Sequence, residues 1–172
     1  MTGSGTAGDA VTRGLYTPEQ RQRRDQTRWT LVQGLLAPVQ FLVFLVSLAL
    51  VARYLLTGEG AAVATGSVVL KTLVLYTIMI TGAIWERVVF GQYLFAGPFF
   101  WEDVFSMLVL ALHTAYLVCV GFGWLGVQGQ MYLALAAYAA YVINAAQFLL
   151  KFRMARLETG APLGDGRFGV AQ

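Results

Sequence analysis

Three ionisable side chains within one apolar stretch could take part in catalysis or ligand binding. The stretch is WEDVFSMLVLALHTAY at 101–116, where Glu102 and Asp103 stand at the polar end and His113, the only histidine of the chain, stands inside. Adjacent carboxylates beside apolar residues repel each other and are poorly solvated, so at least one is expected to hold its proton near neutral pH. A carboxyl group in that state is a candidate general acid.

Helical spacing places these groups on one face. Glu102, Ser106 and His113 fall at i, i+4 and i+11, which on a helix lie within about 40° of one another. His113 would then lie about 15 Å below Glu102, near the middle of a bilayer. A histidine at that depth either hydrogen-bonds to a neighbouring helix or serves as a ligand or proton carrier, and we favour the functional interpretation.

The composition is that of an integral membrane protein. Apolar residues make up 58% of the 172 residues and charged residues only 12%, about half the usual share in a soluble domain. Four apolar runs, at about 31–52, 63–85, 104–124 and 131–150, are long enough to cross a hydrocarbon core of ~30 Å. The sequence therefore predicts an all-α membrane protein that forms a four-helix bundle.

The basic residues predict the orientation of this bundle. They concentrate before the first run (Arg13, Arg21, Arg23, Arg24, Arg28) and after the fourth (Lys151, Arg153, Arg156, Arg167). By the positive-inside rule the N- and C-termini are both cytoplasmic. Contact with anionic lipid accounts for these charges without a nucleic acid partner. The single cysteine, Cys119, excludes an internal disulfide or a cysteine metal cluster.

Polar residues recur every three to four or seven positions in the other runs, so each helix is expected to turn one polar line inward. Two interpretations stay open for them: interhelical hydrogen bonding by the amides, or a functional site. Lys71 either faces the interior or extends toward the outer surface, and the charged groups at 86–103 could form an interfacial ion-pair network instead. The predicted inward residues are Gln33, Gln40 and Ser47 in the first run, Lys71, Thr77, Thr81 and Glu86 in the second, and Tyr141, Asn144, Gln147 and Lys151 in the fourth.

The segments outside the runs divide into three kinds. The polar ends, 1–14 and 158–172, are expected to be disordered, which leaves one domain at 15–157. Within it, YTPEQRQRRDQT predicts a short helix with Thr17 as its cap and Pro18 in its first turn. The aromatic connection at 87–103 is expected to lie on the membrane or to fold over the bundle.

Most of the chain, about 15–157, resembles one known family. The resemblance is carried by LYTPEQRQRRDQTRWTLVQGLLAPVQFLVFLVSL, LYTIMITGAIWERVVFGQYLFAGPFFWEDVFSMLVLALHTAY and LAAYAAYVINAAQFLLKFRMARL. These blocks closely resemble the vinyl bacteriochlorophyllide hydratases of photosynthetic bacteria. The resemblance implies a hydro-lyase that adds water to the ring-A vinyl group of chlorophyllide a or vinyl bacteriochlorophyllide, giving a 1-hydroxyethyl group during bacteriochlorophyll biosynthesis. It also implies a place in the bacterial inner or intracytoplasmic photosynthetic membrane.

The roles of individual residues follow from the chemistry of this reaction and are not taken from the family. Glu102 or Asp103 is the expected acid, and Glu86 is expected to orient or deprotonate the water. The predicted substrate-binding residues are Arg87 for the propionate, His113 for the magnesium or a ring carbonyl, and Trp101, Tyr141, Asn144 and Gln147. No cofactor is expected, since magnesium enters only with the substrate.

Two other functions stay open at this point. One is a non-catalytic chlorophyllide carrier or assembly factor, and the other is a structural subunit of a photosynthetic complex. Chlorophyllide and membrane lipid are the expected partners. Association with other bacteriochlorophyll biosynthesis enzymes, or of the chain with itself through the alanine-rich last run, is left open.

Overall fold

The computed structural model describes residues 15–160, with side chains described as far as Met154. Every regular element in this part of the chain is helical, and four helices are long and apolar enough to cross a membrane. The prediction of an all-helical protein with four spans is thereby confirmed. The helices are α1 (Pro18–Gln26), α2 (Arg28–Thr57), α3 (Ala61–Phe90), α4 (Phe100–Phe122) and α5 (Gly126–Gly160). The ends predicted to be disordered were 1–14 and 158–172. Of these, 1–14 and 161–172 lie outside the described residues, whereas 158–160 belong to the end of α5.

Helix α1 begins as its sequence predicts. The Thr17 hydroxyl accepts a hydrogen bond from the Gln20 N–H at 3.3 Å, and the Gln20 side chain accepts one from the Thr17 N–H at 3.0 Å. Pro18 occupies the first turn, where its missing N–H would have no helical partner. The reciprocal bonds satisfy two backbone donors that a helix start leaves free.

The spans are longer than the apolar runs indicate. Helices α2 and α3 have 30 residues each, or about 45 Å, which exceeds a hydrocarbon core of ~30 Å. Glu86 therefore lies in the last turns of α3, and Glu102 and Asp103 lie in the first turn of α4. The predicted connection at 87–103 was too long, because only 91–99 separates the two helices.

The four spans form two antiparallel hairpins. Helix α2 packs chiefly against α3, and α4 packs chiefly against α5. The α2–α3 turn contains Gly58 and Gly60, with φ of 75° and 81°, and α4 ends at Gly123 with φ of 68°. Glycine adopts these left-handed conformations at little cost, so short turns are sufficient at this end of the bundle.

The connection between the hairpins covers the other end of the bundle. Phe99 is 1% exposed and packs against Tyr16, Trp85 and Phe148. Trp101 remains exposed. The aromatic connection thus does both things that its sequence suggested, folding over the bundle at Phe99 and staying on the surface elsewhere.

Most of the predicted inward-facing residues are buried, with one correction. Gln40, Ser47, Ser106, His113 and Asn144 are all buried. The prediction for Thr77 was wrong, because this residue faces outward and its hydroxyl donates to the Leu73 carbonyl at 3.0 Å. Of the two alternatives for Lys71, the interior position is the one observed, since this residue is fully buried.

Candidate active site

The charged end of the bundle separates the two adjacent carboxylates of α4. Glu102 receives Lys151 of α5, whose Nζ lies 2.9 Å from Oε1 and 3.0 Å from Oε2. Successive helical residues point about 100° apart, so Asp103 faces α3 instead. Because Glu102 accepts the lysine through both oxygens, it serves as the carboxylate of an ion pair and is poorly placed to release a proton.

Glu86 and Asp103 form a buried carboxyl pair. Glu86 is 6% exposed and Asp103 is 3% exposed, and their side chains lie close enough to interact directly. Two carboxylates this close and this poorly solvated would repel each other, which favours a state in which one of them carries a proton. The pair therefore has one group able to donate a proton and another able to accept one.

The backbone of the aromatic connection holds this pair in place. The Phe95 N–H donates to Asp103 Oδ2 at 2.7 Å, and the Ala96 N–H donates to Glu86 Oε2 at 3.3 Å. Phe95 has φ of 60°, a left-handed conformation that is costly for a bulky residue. The bonds to the two carboxyl groups help to maintain this strained turn, and the turn in return covers the pair.

Exposed aromatic residues surround the covered pair. Tyr93, Phe95, Phe100 and Trp101 are all exposed, and the Phe100 and Trp101 rings meet edge to face at 5.5 Å. Arg87 is exposed, donates to the Gly91 carbonyl and has its guanidinium 5.6 Å from the Tyr93 ring centre. A flat apolar molecule with an acidic substituent would find ring faces and a cation here.

His113 lies in the bundle interior, away from this end. Its Nδ1 bonds to the Val109 carbonyl at 2.8 Å and therefore carries the hydrogen. Its Nε2 then accepts from Lys71 Nζ at 2.7 Å. The Lys71 ammonium also lies 4.1 Å from the Tyr141 ring centre, which is a cation–π distance. Both ring nitrogens of His113 are thus occupied by protein groups.

Lys71 is a residue of interest that the set of predicted site residues missed. The signal in the sequence was an ionisable residue inside an apolar run, which is rare unless it faces the bundle interior. Its pairing with His113 could not be read from the sequence, because it depends on how α3 and α4 are offset along their axes.

Amide side chains lie between the carboxyl pair and the Lys71–His113 pair. The Asn144 Nδ2 donates to Ser106 Oγ at 2.8 Å. Neither amide atom of Gln40 has a hydrogen-bond partner, and the Oδ1 of Asn144 and the Oε1 of Gln147 have none. The predicted residues therefore divide between the end of the bundle, which holds Glu86, Arg87, Trp101, Glu102 and Asp103, and its interior, which holds His113, Tyr141, Asn144 and Gln147.

Within residues 15–160, no group of three or more histidine, cysteine, aspartate or glutamate side chains is arranged to hold a metal ion. Cys119 is buried on α4 near the opposite end of the bundle. The donors available to a ligand at the charged end are thus the carboxyl pair, the exposed arginine and the aromatic rings.

Fold and site together define a small membrane protein with four candidate spans and a covered carboxyl pair at one end. The profile of the 2-vinyl bacteriochlorophyllide hydratase family matches residues 16–154. The chain belongs to this family. No solved structure gives a significant match.

Two relatives named 2-vinyl bacteriochlorophyllide hydratase extend this comparison. The protein of Cereibacter sphaeroides is 65% identical over 161 residues, which cover 91% of this chain and 97% of the relative. The protein of Rhodobacter capsulatus is 65% identical over 147 residues, which cover 86% of this chain and 85% of the relative. The similarity thus includes all four spans and both parts of the site.

Proposed function

We propose that this protein is a hydro-lyase that adds water to the ring-A vinyl group of a chlorophyllide or bacteriochlorophyllide. The observation that carries the proposal is the Glu86–Asp103 pair, a buried proton donor and acceptor beside an exposed aromatic surface. Membership of the hydratase family supports the same reaction. The product carries a 1-hydroxyethyl group and belongs to bacteriochlorophyll biosynthesis.

The pair can supply both proton transfers of a hydration. The protonated carboxyl group gives its proton to the terminal carbon of the vinyl group, and the inner carbon becomes a cation that the conjugated ring delocalises. Water attacks that carbon and loses a proton to the other carboxylate. The pair ends with one proton, as it began, so the reaction needs no added acid, base or oxidant.

We assign the acid to Asp103 and the base to Glu86. Asp103 lies in the first turn of α4 and bonds to the backbone of the exposed Phe95, whereas Glu86 lies within α3 under the connection. Glu102, the other acid predicted from sequence, instead pairs with Lys151. The ion pair joins the first turn of α4 to α5.

The exposed aromatic surface is the proposed binding site for the pigment. A tetrapyrrole is a flat disc that stacks on aromatic rings. Phe95, whose backbone bonds to Asp103, contacts the Phe100 ring, and Phe100 in turn contacts Trp101, so these exposed rings offer such a surface. Arg87 is available for the propionate, because a guanidinium can bind a carboxylate through two hydrogen bonds. Bound there, the pigment would exclude bulk water from the reacting carbon.

The interior residues have a different proposed role. Ligation of the pigment's magnesium by His113 stays a prediction, and it requires Lys71 to release Nε2. Tyr141 packs under that lysine, and Asn144 and Gln147 lie between it and the carboxyl pair. We place these groups behind the reacting carbon, where they shape the polar interior of the site.

The setting of the reaction is also part of the proposal. We place the protein in the inner or intracytoplasmic photosynthetic membrane, with both termini and the charged end of the bundle in the cytoplasm, as the distribution of basic residues favours. We propose that the protein uses no cofactor of its own. Self-association, or contact with other enzymes of the pathway, would occur through the exposed apolar faces of the spans.

The test is hydration of chlorophyllide a in ¹⁸O-labelled water by the purified protein, followed by mass spectrometry. Glu86→Gln and Asp103→Asn should each lower turnover by about 10²-fold or more, the usual contribution of a general acid or base. Glu102→Gln is the matched control and should keep most of the activity of the folded protein. Normal turnover in both pair variants would refute the mechanism, and bound but unchanged pigment with the wild type would favour a carrier.

A further inference from the structure

The interior amides present hydrogen-bonding groups that the protein does not satisfy. Four amide atoms, both of Gln40 and one each of Asn144 and Gln147, are buried and have no partner in the described part of the chain. Gln40 is only 2% exposed. An unpaired amide in an apolar interior is costly, and a membrane offers no solvent to compensate for it.

These amides lie close in depth. The Phe44 ring of α2 packs against Tyr138 and Tyr141 of α5 at 5.3 and 5.0 Å. Because the two helices are antiparallel, one turn toward the charged end leads from Phe44 to Gln40 and from Tyr141 to Asn144. Gln147 follows one turn later on the same face of α5.

The same level adjoins the carboxyl pair from inside. Asn144 bonds to Ser106, which stands one helical turn after Asp103 on α4, or about 4.5 Å along the axis. The aromatic surface proposed for the pigment lies on the outer side of Asp103. The carboxyl pair thus separates that surface from the interior amides.

The unpaired groups also indicate the chemistry of a ligand that would satisfy them. Each amide carries a donor and an acceptor, so whichever way the amides are turned, the set needs a ligand that both donates and accepts. A ketone, an ester or a magnesium ion cannot do so. A buried water does, and typically makes about three hydrogen bonds.

We propose that Gln40, Asn144 and Gln147 form a buried water-binding site on the inner side of the Glu86–Asp103 pair, and that it supplies the water consumed in hydration. The existence of the site is independent of the enzyme's activity, whereas its use rests on the proposed function. Water would reach the cation from the interior while the pigment covers the outer side, so the reaction would not require bulk solvent at the reacting carbon.

The first test needs no pigment. A brief X-ray pulse produces hydroxyl radicals from water bound beside buried side chains, and mass spectrometry of peptides locates the oxidised residues. Phe44 and Tyr141 should be oxidised several-fold faster than Phe99, which is at least as well buried but packs among aromatic rings. Oxidation no faster than at Phe99 would overturn the proposal.

Substitutions then connect the signal to the amides. Gln40→Leu should abolish the oxidation of Phe44 and Tyr141, and Gln147→Leu on the other helix should lower it. The matched control is Gln33→Leu, because Gln33 lies one heptad away on α2 and its amide is satisfied by Thr81 at 2.7 Å. An unchanged signal in folded Gln40→Leu would also overturn the proposal.

Kinetics test the use of the water separately. Gln40→Leu should lower turnover by about 10- to 100-fold through loss of a positioned reactant, with pigment affinity unchanged. Full turnover after loss of the oxidation signal would show a water site that does not supply the reaction. If the wild type shows the oxidation pattern but hydrates no pigment, the proposed function fails and the water site stands.

Discussion

The contact between Lys71 and His113 leads to a prediction about stability that does not depend on the enzymatic activity. Both residues are fully buried, and Nζ lies 2.7 Å from Nε2. The perturbation is a cycle of three variants: Lys71→Met, His113→Leu and the double variant. Both replacements keep approximately the shape of the side chain and remove its polar groups.

The two single variants should differ in size. Lys71→Met leaves an unpaired imidazole nitrogen, which costs about 1–3 kcal/mol. His113→Leu leaves the buried Lys71 ammonium without its one hydrogen-bond partner, a change in the range of about 3–5 kcal/mol. The double variant removes both groups and should be nearly neutral. The coupling energy is then the sum of the two single effects, at least about 4 kcal/mol, which exceeds the usual upper end of ~3 kcal/mol for contacting residues and the ~0.6 kcal/mol average for interhelical hydrogen bonds in a membrane protein.

Reversible unfolding of the detergent-solubilised protein by increasing SDS, followed by circular dichroism, measures these free energies. Thr114→Val serves as a control, because Thr114 neighbours His113 in sequence but makes an exposed bond to Tyr76, and it should cost less than about 1 kcal/mol. Two results would refute this account of the contact. One is a smaller loss of unfolding free energy in His113→Leu than in Lys71→Met, and the other is a loss in the double variant equal to the sum of the two single losses.

Three further predictions concern the charged end of the bundle. Glu102→Gln should destabilise the protein by about 2 kcal/mol because it leaves Lys151 unpaired, and adding Lys151→Met should recover most of that loss. SDS unfolding measures both changes. If the double variant instead loses the sum of the two single effects, the ion pair does not have this role. Phe99→Ala should cost about 3–5 kcal/mol by removing a buried ring, so a change in unfolding free energy below about 1 kcal/mol would show that the connection does not cover the bundle as described. Thr17→Ala should lower the local stability of α1 by about 1 kcal/mol. Trypsin should then cleave faster at the arginines of α1, while SDS unfolding of the spans stays unchanged. An unaltered cleavage rate would argue against the capping bonds.

The sequence was sufficient for the spans and for most of the residues that face inward. Apolar length located four helices, and spacing of three to four residues placed Ser106, His113 and Asn144 in the interior, where the structure has them. Periodicity failed at Thr77, because a threonine hydroxyl can satisfy itself on the preceding turn of its own helix and face lipid.

The pairing of the charged groups was beyond the reach of the sequence. Glu102 and Asp103 are neighbours in the chain and looked equivalent, yet one pairs with Lys151 and the other with Glu86. That choice depends on the rotation of α4 between α3 and α5, and on the left-handed conformation of Phe95, which sets the backbone donor for Asp103. Both are long-range features that local patterns do not encode.

The division into two hairpins has a consequence for how the protein is assembled in the membrane. The turns at 58–60 and 123–125 are short, so each hairpin can insert as a unit with few polar residues to translocate. The contacts that join the hairpins include Glu86 with Asp103, Lys71 with His113, and Ser47 with Tyr138 at 2.5 Å. Since lipid provides no hydrophobic force between helices, packing and polar contacts of this kind determine which hairpins recognise each other.

The candidate catalytic pair therefore does not exist in either hairpin alone. Each half contributes one carboxyl group, and the donor–acceptor pair is completed only when the halves dock. Separate genes for the two halves, divided within 91–95, would each yield an insertable hairpin that carries only one carboxyl group of the pair. Recovery of activity on co-expression would then show that the two hairpins dock correctly in the bilayer. A single activity assay would therefore measure both the assembly of the protein and its catalysis.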